Sequence, residues 1–203
     1  MKTINKGRIE LIVGPMFSGK STELLRIIRR YKVKNLNPLI VKYDKDNRYN
    51  SQNKIITHDK IEYEAIHINL LKKIKTLLQT KDVIGIDDGQ FFPDLKDVCE
   101  DLANEGKSIV ISALNSNYKR EGFKSILEII PKCDKILNLQ AICYYCKDDA
   151  SFTLRTSKDK EEILIGGIDY YRPCCRECYM VHNQDKDKVQ IEKVVESIKR
   201  KML

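Results

Sequence analysis

The run Gly14-Pro15-Met16-Phe17-Ser18-Gly19-Lys20-Ser21 sets two glycines, a lysine and a hydroxyl in the order G-x-x-x-x-G-K-[ST], a spacing suited to wrapping a phosphate in main chain. The glycines let the backbone close on the anion, and successive N–H groups and the start of the following helix point at it. The Lys20 ammonium neutralises the outer phosphates, and the Ser21 hydroxyl can ligate Mg2+. A tight strand-to-helix turn would explain Gly14 and Gly19 but leave Lys20 and Ser21 idle. A metal held there needs a carboxylate at the end of a neighbouring strand, and Val83-Ile84-Gly85-Ile86 runs into Asp87. Asp88 comes next, and two adjacent carboxylates repel unless cations or solvent offset them, which points to separate jobs. Asp87 then serves the Mg2+ side while Asp88 accepts a proton from an attacking hydroxyl. The other reading of Asp88 is a cap for a helix starting near Pro93.

A second constellation lies downstream. Cys143-Tyr-Tyr-Cys146 and Cys175-Arg-Glu-Cys178 are two C-x-x-C pairs separated by 28 residues. Four thiolates at such spacing suit tetrahedral Zn2+ with Zn–S of ~2.3 Å, in a closed structural site that ties the intervening segment at its base. Cys174 and His182 are alternative ligands ranked below this quartet. A redox C-x-x-C is the rival reading, without a thioredoxin-like context to support it. Cys99 and Cys133 read as core or surface thiols.

These residues need a scaffold. Arg8–Val13 is an apolar, β-branched run ending at Gly14, and Ser21–Tyr31 carries apolar residues at Leu24, Leu25, Ile27 and Ile28, which is the pattern of strand, glycine turn and amphipathic helix. Pro38–Tyr43, Val83–Ile86 and Ser108–Leu114 read as further strands, with Ile68–Leu78 and Pro93–Gly106 as helices, Gly106 stopping the second. Ile126–Ile130 and Ile136–Gln140 add a helix and a strand. Strands alternating with helices predict an α/β fold, a mostly parallel sheet covered by helices on both faces. From Ala141 the texture changes, with a polar break at Ser157–Glu162 and a strand-like Ile163–Ile165. The chain therefore divides into a phosphate-binding core (1–140), a zinc-binding and lid unit (141–183) and a charged tail (184–203) with a helix at Val189–Lys201.

Composition bounds the class. Hydrophobic residues make up 42% and charged residues 33% of the 203, the balance of a soluble globular chain. The net charge of +8 comes from scattered Lys and Arg without an interleaved basic and aromatic ladder, which argues for a solvated face and attraction of polyphosphates over dedicated nucleic-acid binding. There is no signal-peptide pattern and no apolar run near the ~20 residues of a membrane span, so the expected location is the cytosol, where the seven cysteines stay reduced.

Taken in order, the motifs resemble the cytosolic-type, or type II, thymidine kinases. The phosphate loop continues into Thr22-Glu23-Leu24. Lys42-Tyr43-Asp44-Lys45-Asp46-Asn47-Arg48-Tyr49, Thr57-His58-Asp59, Asp87 with Gln90-Phe91-Phe92, the cysteine pairs and Ile165-Gly166-Gly167 before Tyr171 follow, over roughly residues 7–180. The resemblance implies transfer of the γ-phosphate of ATP to the 5′-hydroxyl of deoxythymidine. It also implies a homotetramer and a lasso-like loop on the zinc-bearing unit. Thr22 and Asp46 would lie by the phosphates and Arg48 by the catalytic acid. Phe91, Leu114, Tyr118, Thr153, Leu164, Ile165, Gly166 and Tyr171 would form the nucleoside pocket. Asp88 stands where the family usually has Glu, Tyr118 where it has Phe, and Asn115-Ser116 where it has Asp-Gly. Two other classes stay open: another P-loop deoxynucleoside kinase, and a zinc-ribbon nucleic-acid-dependent ATPase.

Overall fold

A computed structural model describes residues 6–44, 54–56, 62–157 and 166–183. Asp46, Arg48, the Thr57–Asp59 run, Leu164, Ile165 and the tail from 184 onward lie outside the described residues.

The core is a six-stranded sheet of β1 (Arg8–Gly14), β2 (Pro38–Tyr43), β5 (Ile66–Ile68), β6 (Val83–Asp87), β7 (Ser108–Leu114) and β8 (Lys135–Asn138), in the order β5-β2-β6-β7-β1-β8. Every pairing is parallel. Buried on both faces, the central strands are continuous apolar runs; β6 is buried along its whole length. Helix α1 (Lys20–Val33) covers one face, its Leu24, Leu25, Ile27 and Ile28 packing on Ile12, Ile40, Val83 and Val110. Helices α3 (Leu95–Asn104) and α4 (Lys124–Ile129) cover the other, against Leu11, Ile84, Ile86, Ile109 and Ile111. Because the strands run one way, Gly14, Asp87 and Leu114 end at the same edge, where α/β sheets bind ligands. The register sets Gly14 opposite Leu114 and Lys42 opposite Asp87.

Ile68–Leu78 is not one helix. Ile68 ends β5, and the helical part is a 3-10 turn, Leu71–Ile74, followed by α2 (Lys75–Gln79). The Asp94 carboxylate accepts the Leu71 and Lys72 N–H groups at 3.2 and 2.8 Å and fixes the start, while Ile66-His67-Ile68 alternates with the period of a strand. The hairpin of β3 (Lys54–Ile56) with β4 (Glu62–Glu64) was not expected either.

Beyond β8 the elements shrink. β9 (Ala141–Ile142) pairs with β10 (Asp149–Ala150), β11 (Phe152–Arg155) pairs antiparallel with β12 (Tyr171–Cys174), and residues 176–183 are helical. None of these strands was foreseen. Among the described residues no helix is long and apolar enough to cross a membrane.

Candidate active site and metal centre

The turn from β1 to α1 is built as an anion cradle. A side chain at Gly14 would put its Cβ 2.5 Å from the Leu139 carbonyl oxygen, and Gly19 sits at φ 79°, so both positions require glycine. Helix α1 starts without a side-chain cap, leaving its first N–H groups to the turn and to any anion placed there. Pro15 is buried, Met16, Ser18 and Thr22 are half-buried, and Phe17 takes a left-handed φ of 67°. The Lys20 ammonium donates to the Pro15 carbonyl at 2.6 Å, and the Ser18 hydroxyl donates to the same oxygen at 2.9 Å.

Asp87 lies beside this loop. Its Oδ1 accepts from the Ser21 hydroxyl at 2.9 Å and from the Ser112 hydroxyl on β7. Asp88 follows in the left-handed region at φ 57°, a conformation Asp tolerates better than most residues. The Lys42 ammonium reaches both acids, 3.7 Å from Asp87 Oδ2 and 3.8 Å from Asp88 Oδ2. Lys42 is buried, with 6% of its surface exposed, and a cation so placed offsets the repulsion of adjacent carboxylates. Gln90 completes the group. Its Nε2 donates to Asp88 Oδ1 at 3.4 Å and its Oε1 accepts from the Leu114 N–H at 3.0 Å, tying β6 to the end of β7.

The capping role for Asp88 is overturned. Helix α3 begins at Leu95, flanked by Asp94, and the turn after Asp88 receives no side-chain cap bond from it. Lys42 and Gln90 stand in the motifs that carry the resemblance but had no role assigned to them, and Ser112 carried only the signal of a polar residue inside an apolar strand.

The residues assigned to a nucleoside fall into separate groups. Phe91 packs with Tyr43 and Phe123, ring centroids at 5.4 and 6.2 Å. The half-buried Tyr118 and the buried Tyr171 are joined by Arg155, which was not foreseen. Thr153 is buried, and its hydroxyl accepts the Met16 N–H at 3.0 Å, bringing β11 onto the phosphate loop. Gly166 is buried against the Tyr170 ring. Where the family's Asp-Gly is replaced, the Asn115 side chain donates to the Ser151 carbonyl at 3.4 Å.

The four sulfurs of Cys143, Cys146, Cys175 and Cys178 lie within 4.8 Å of one another, and Cys146 and Cys175 are 3.6 Å apart. A tetrahedron with Zn–S of ~2.3 Å has edges of ~3.8 Å, so the quartet fits a four-thiolate ion. Burial opposes ionisation of Cys143, but main-chain hydrogen bonds from Cys146, Cys175 and Tyr145 outweigh it and pull its thiol down to about 6. Cys174 stands outside the quartet, packed with Leu154 and Tyr179; burial foremost, then the neighbouring Cys143 and Cys175, push its thiol up to about 12. His182 stacks on the Tyr145 ring at 3.7 Å between centroids. Cys99 is buried in the core, and Cys133 is half-buried with its thiol donating to the Ile129 carbonyl at 3.3 Å.

The match to a family model described as thymidine kinase covers residues 7–179. Thymidine kinase 1 of Dictyostelium discoideum is 45% identical over 176 residues, which span 85% of this chain and 78% of that protein. The thymidine kinase of Variola virus is 44% identical over 177 residues, 87% of this chain and 99% of its own. That of Sheeppox virus (strain KS-1) is 46% identical over 175 residues, 86% and 98% respectively. With so much of the chain aligned and the phosphate loop, acid pair and cysteine quartet inside the aligned span, the chain belongs to the thymidine kinase family.

Proposed function

We propose that the chain transfers the γ-phosphate of ATP to the 5′-hydroxyl of deoxythymidine, giving dTMP. The observation that carries this reading within the family is the junction of the phosphate loop with the acid pair, Ser21 on Asp87 with Asp88 beside it. The phosphates of ATP occupy the loop from Gly14 to Thr22, with Lys20 and the start of α1 against their charge. Ser21 and Asp87 hold Mg2+, which when bound neutralises charge on the transferring phosphoryl group. Asp88 accepts the proton of the 5′-hydroxyl as its oxygen attacks in line. Lys42 offsets the charge of the two acids, and Gln90 sets the end of β7 against them.

The nucleoside lies against Phe91, Leu114, Tyr118, Thr153, Gly166 and Tyr171. By the family's pattern Leu164 and Ile165 join it, with Asp46 at the phosphates and Arg48 by the catalytic acid. The cysteine quartet holds a structural Zn2+ that fixes the unit from 141 to 183 against the core from 1 to 140, with 184–203 as a charged tail. The assembly is a homotetramer in the cytoplasm.

A panel of nucleosides with ATP·Mg2+ tests the reading. Deoxythymidine is the expected acceptor. Preference for another nucleoside would mark a different deoxynucleoside kinase. Hydrolysis of ATP stimulated by single-stranded DNA, falling steeply with salt, would mark a nucleic-acid-dependent ATPase.

A further inference from the structure

Arg155 is among the largest side chains that are fully buried, with 1% of its surface exposed. A guanidinium taken out of water is retained only where partners compensate for lost hydration, and two tyrosines are among its partners here. Its Nη2 donates to the Tyr171 hydroxyl oxygen at 2.7 Å. Its Cζ lies over the Tyr118 ring at 3.9 Å from the centroid, and 5.2 Å from the centroid of the Tyr171 ring. Arg155 ends β11 directly opposite Tyr171 at the start of β12, so backbone register and side-chain bond agree.

Tyr118 is held twice, by different elements. Its ring lies under Arg155, while its carbonyl accepts the Tyr179 hydroxyl at 2.7 Å. Tyr179 is buried and its N–H donates to the carbonyl of Cys175. Two residues before Arg155, Thr153 touches the phosphate loop through Met16, on the same face of β11 by the period of a strand.

We propose that Arg155 is a positioning residue for the acceptor nucleoside, fixing the plane of the Tyr118 ring and the direction of the Tyr171 hydroxyl. This rests on the reading that deoxythymidine binds against those tyrosines. With its oxygen accepting from a cation, the Tyr171 hydroxyl becomes a stronger donor, suited to an oxygen of sugar or base. Lysine does not substitute for this, because an ammonium has neither the fork for the phenol nor the flat face for the ring.

The test is steady-state kinetics of the full zinc-loaded chain with deoxythymidine and ATP varied separately, alongside the thermal shift each gives. Arg155→Met should raise KM for deoxythymidine by about ten- to a hundredfold, the scale of a lost charged hydrogen bond and a loosened site. KM for ATP and the shift induced by ATP·Mg2+ should stay at wild-type values. Arg155→Lys should move the same parameter in the same direction by less. An unchanged KM for deoxythymidine in a folded variant overturns the proposal, and so does an equal loss toward both substrates, which is what a general structural role gives. If the Met variant fails to fold, the Lys variant decides by the same criteria. A wild-type chain inactive on deoxythymidine would instead overturn the functional reading beneath it.

Discussion

The sheet and the cysteine unit are held together by different means. Among the described residues, the sheet with its covering helices buries 27 apolar side chains in two layers, one under α1 and one under α3 and α4. The described part after β8 has two small apolar clusters of three buried residues each, with one cysteine in each, on paired strands of two to four residues. A core of that size does not offset the entropy of ordering its loops, and small units of this kind rely on a metal or cross-link. The sheet can therefore carry residues held in fixed geometry by packing alone. The cysteine unit borrows its rigidity from four sulfurs and passes it on, through Cys175 and Tyr179, to Tyr118.

Chemistry in the sheet should thus fail without the fold failing. The largest expected effect is that of Lys20→Ala, which removes a charge aimed at phosphate and leaves the packing of α1 intact. Turnover should fall by ~10²–10³-fold or more, the scale of one preorganised electrostatic donor, with an unchanged circular dichroism spectrum and melting temperature. A variant keeping more than about a tenth of wild-type activity would exclude Lys20 from catalysis.

Next comes Asp88→Asn, a clean substitution because Asn tolerates the left-handed region that this position occupies. It should lower kcat by ~10²-fold, the usual scale of general-base catalysis, with nucleoside affinity nearly unchanged. Asp88→Glu restores the reach of the family's usual residue and should keep or raise kcat, at a small loss of melting temperature because Glu is less at ease at positive φ. Turnover of the Asn variant within a few-fold of wild type would show that the proton leaves by another route.

The smallest effect on chemistry and the largest difference between the two regions should come from the metal. The purified protein should carry close to one Zn2+ per chain by elemental analysis. Chelation, or Cys146→Ser, should weaken deoxythymidine binding by about tenfold, the lower end of what displaced supporting residues cost, while the far-ultraviolet spectrum of the sheet persists. Simultaneous loss of both would show that the sheet also depends on the ion.

Five of the six sheet strands and the phosphate loop were legible because each rests on a local rule, whereas the three residues of β5 were too few to show one. Apolar β-branched runs of five to seven residues mark buried parallel strands, and the loop's glycines, lysine and serine follow one another without a gap. The cysteine quartet was legible for the same reason, as two fixed spacings. Asp88 is ambiguous in sequence because carboxylates serve equally as caps and bases; the cap is excluded by the start of α3 at Leu95 and the lack of a side-chain cap bond from Asp88, neither of which a spacing encodes. Lys42, Ser112 and Arg155 acquire their roles from strands paired across the sheet or from residues packed across a hairpin, and no spacing in the chain encodes that. The short strands β9 to β12 escaped because two to four residues carry too little periodicity to be seen.

The position of β1 inside the sheet has a consequence for how the molecule is made. Its two neighbours are β7 and β8, Arg8 pairing with Ser108 and Glu10 with Lys135. Strand β1 therefore stays without either neighbour until β7 has been made, about a hundred residues later. Closing loops of that length before any pairing rewards them slows folding, toward the ms–s end of the range for single domains, and leaves an apolar strand exposed to chaperones meanwhile. Cys143 follows β8 by only five residues. Every strand of the described sheet is thus made before the first cysteine of the quartet, and the quartet is complete only with Cys178, forty residues beyond β8.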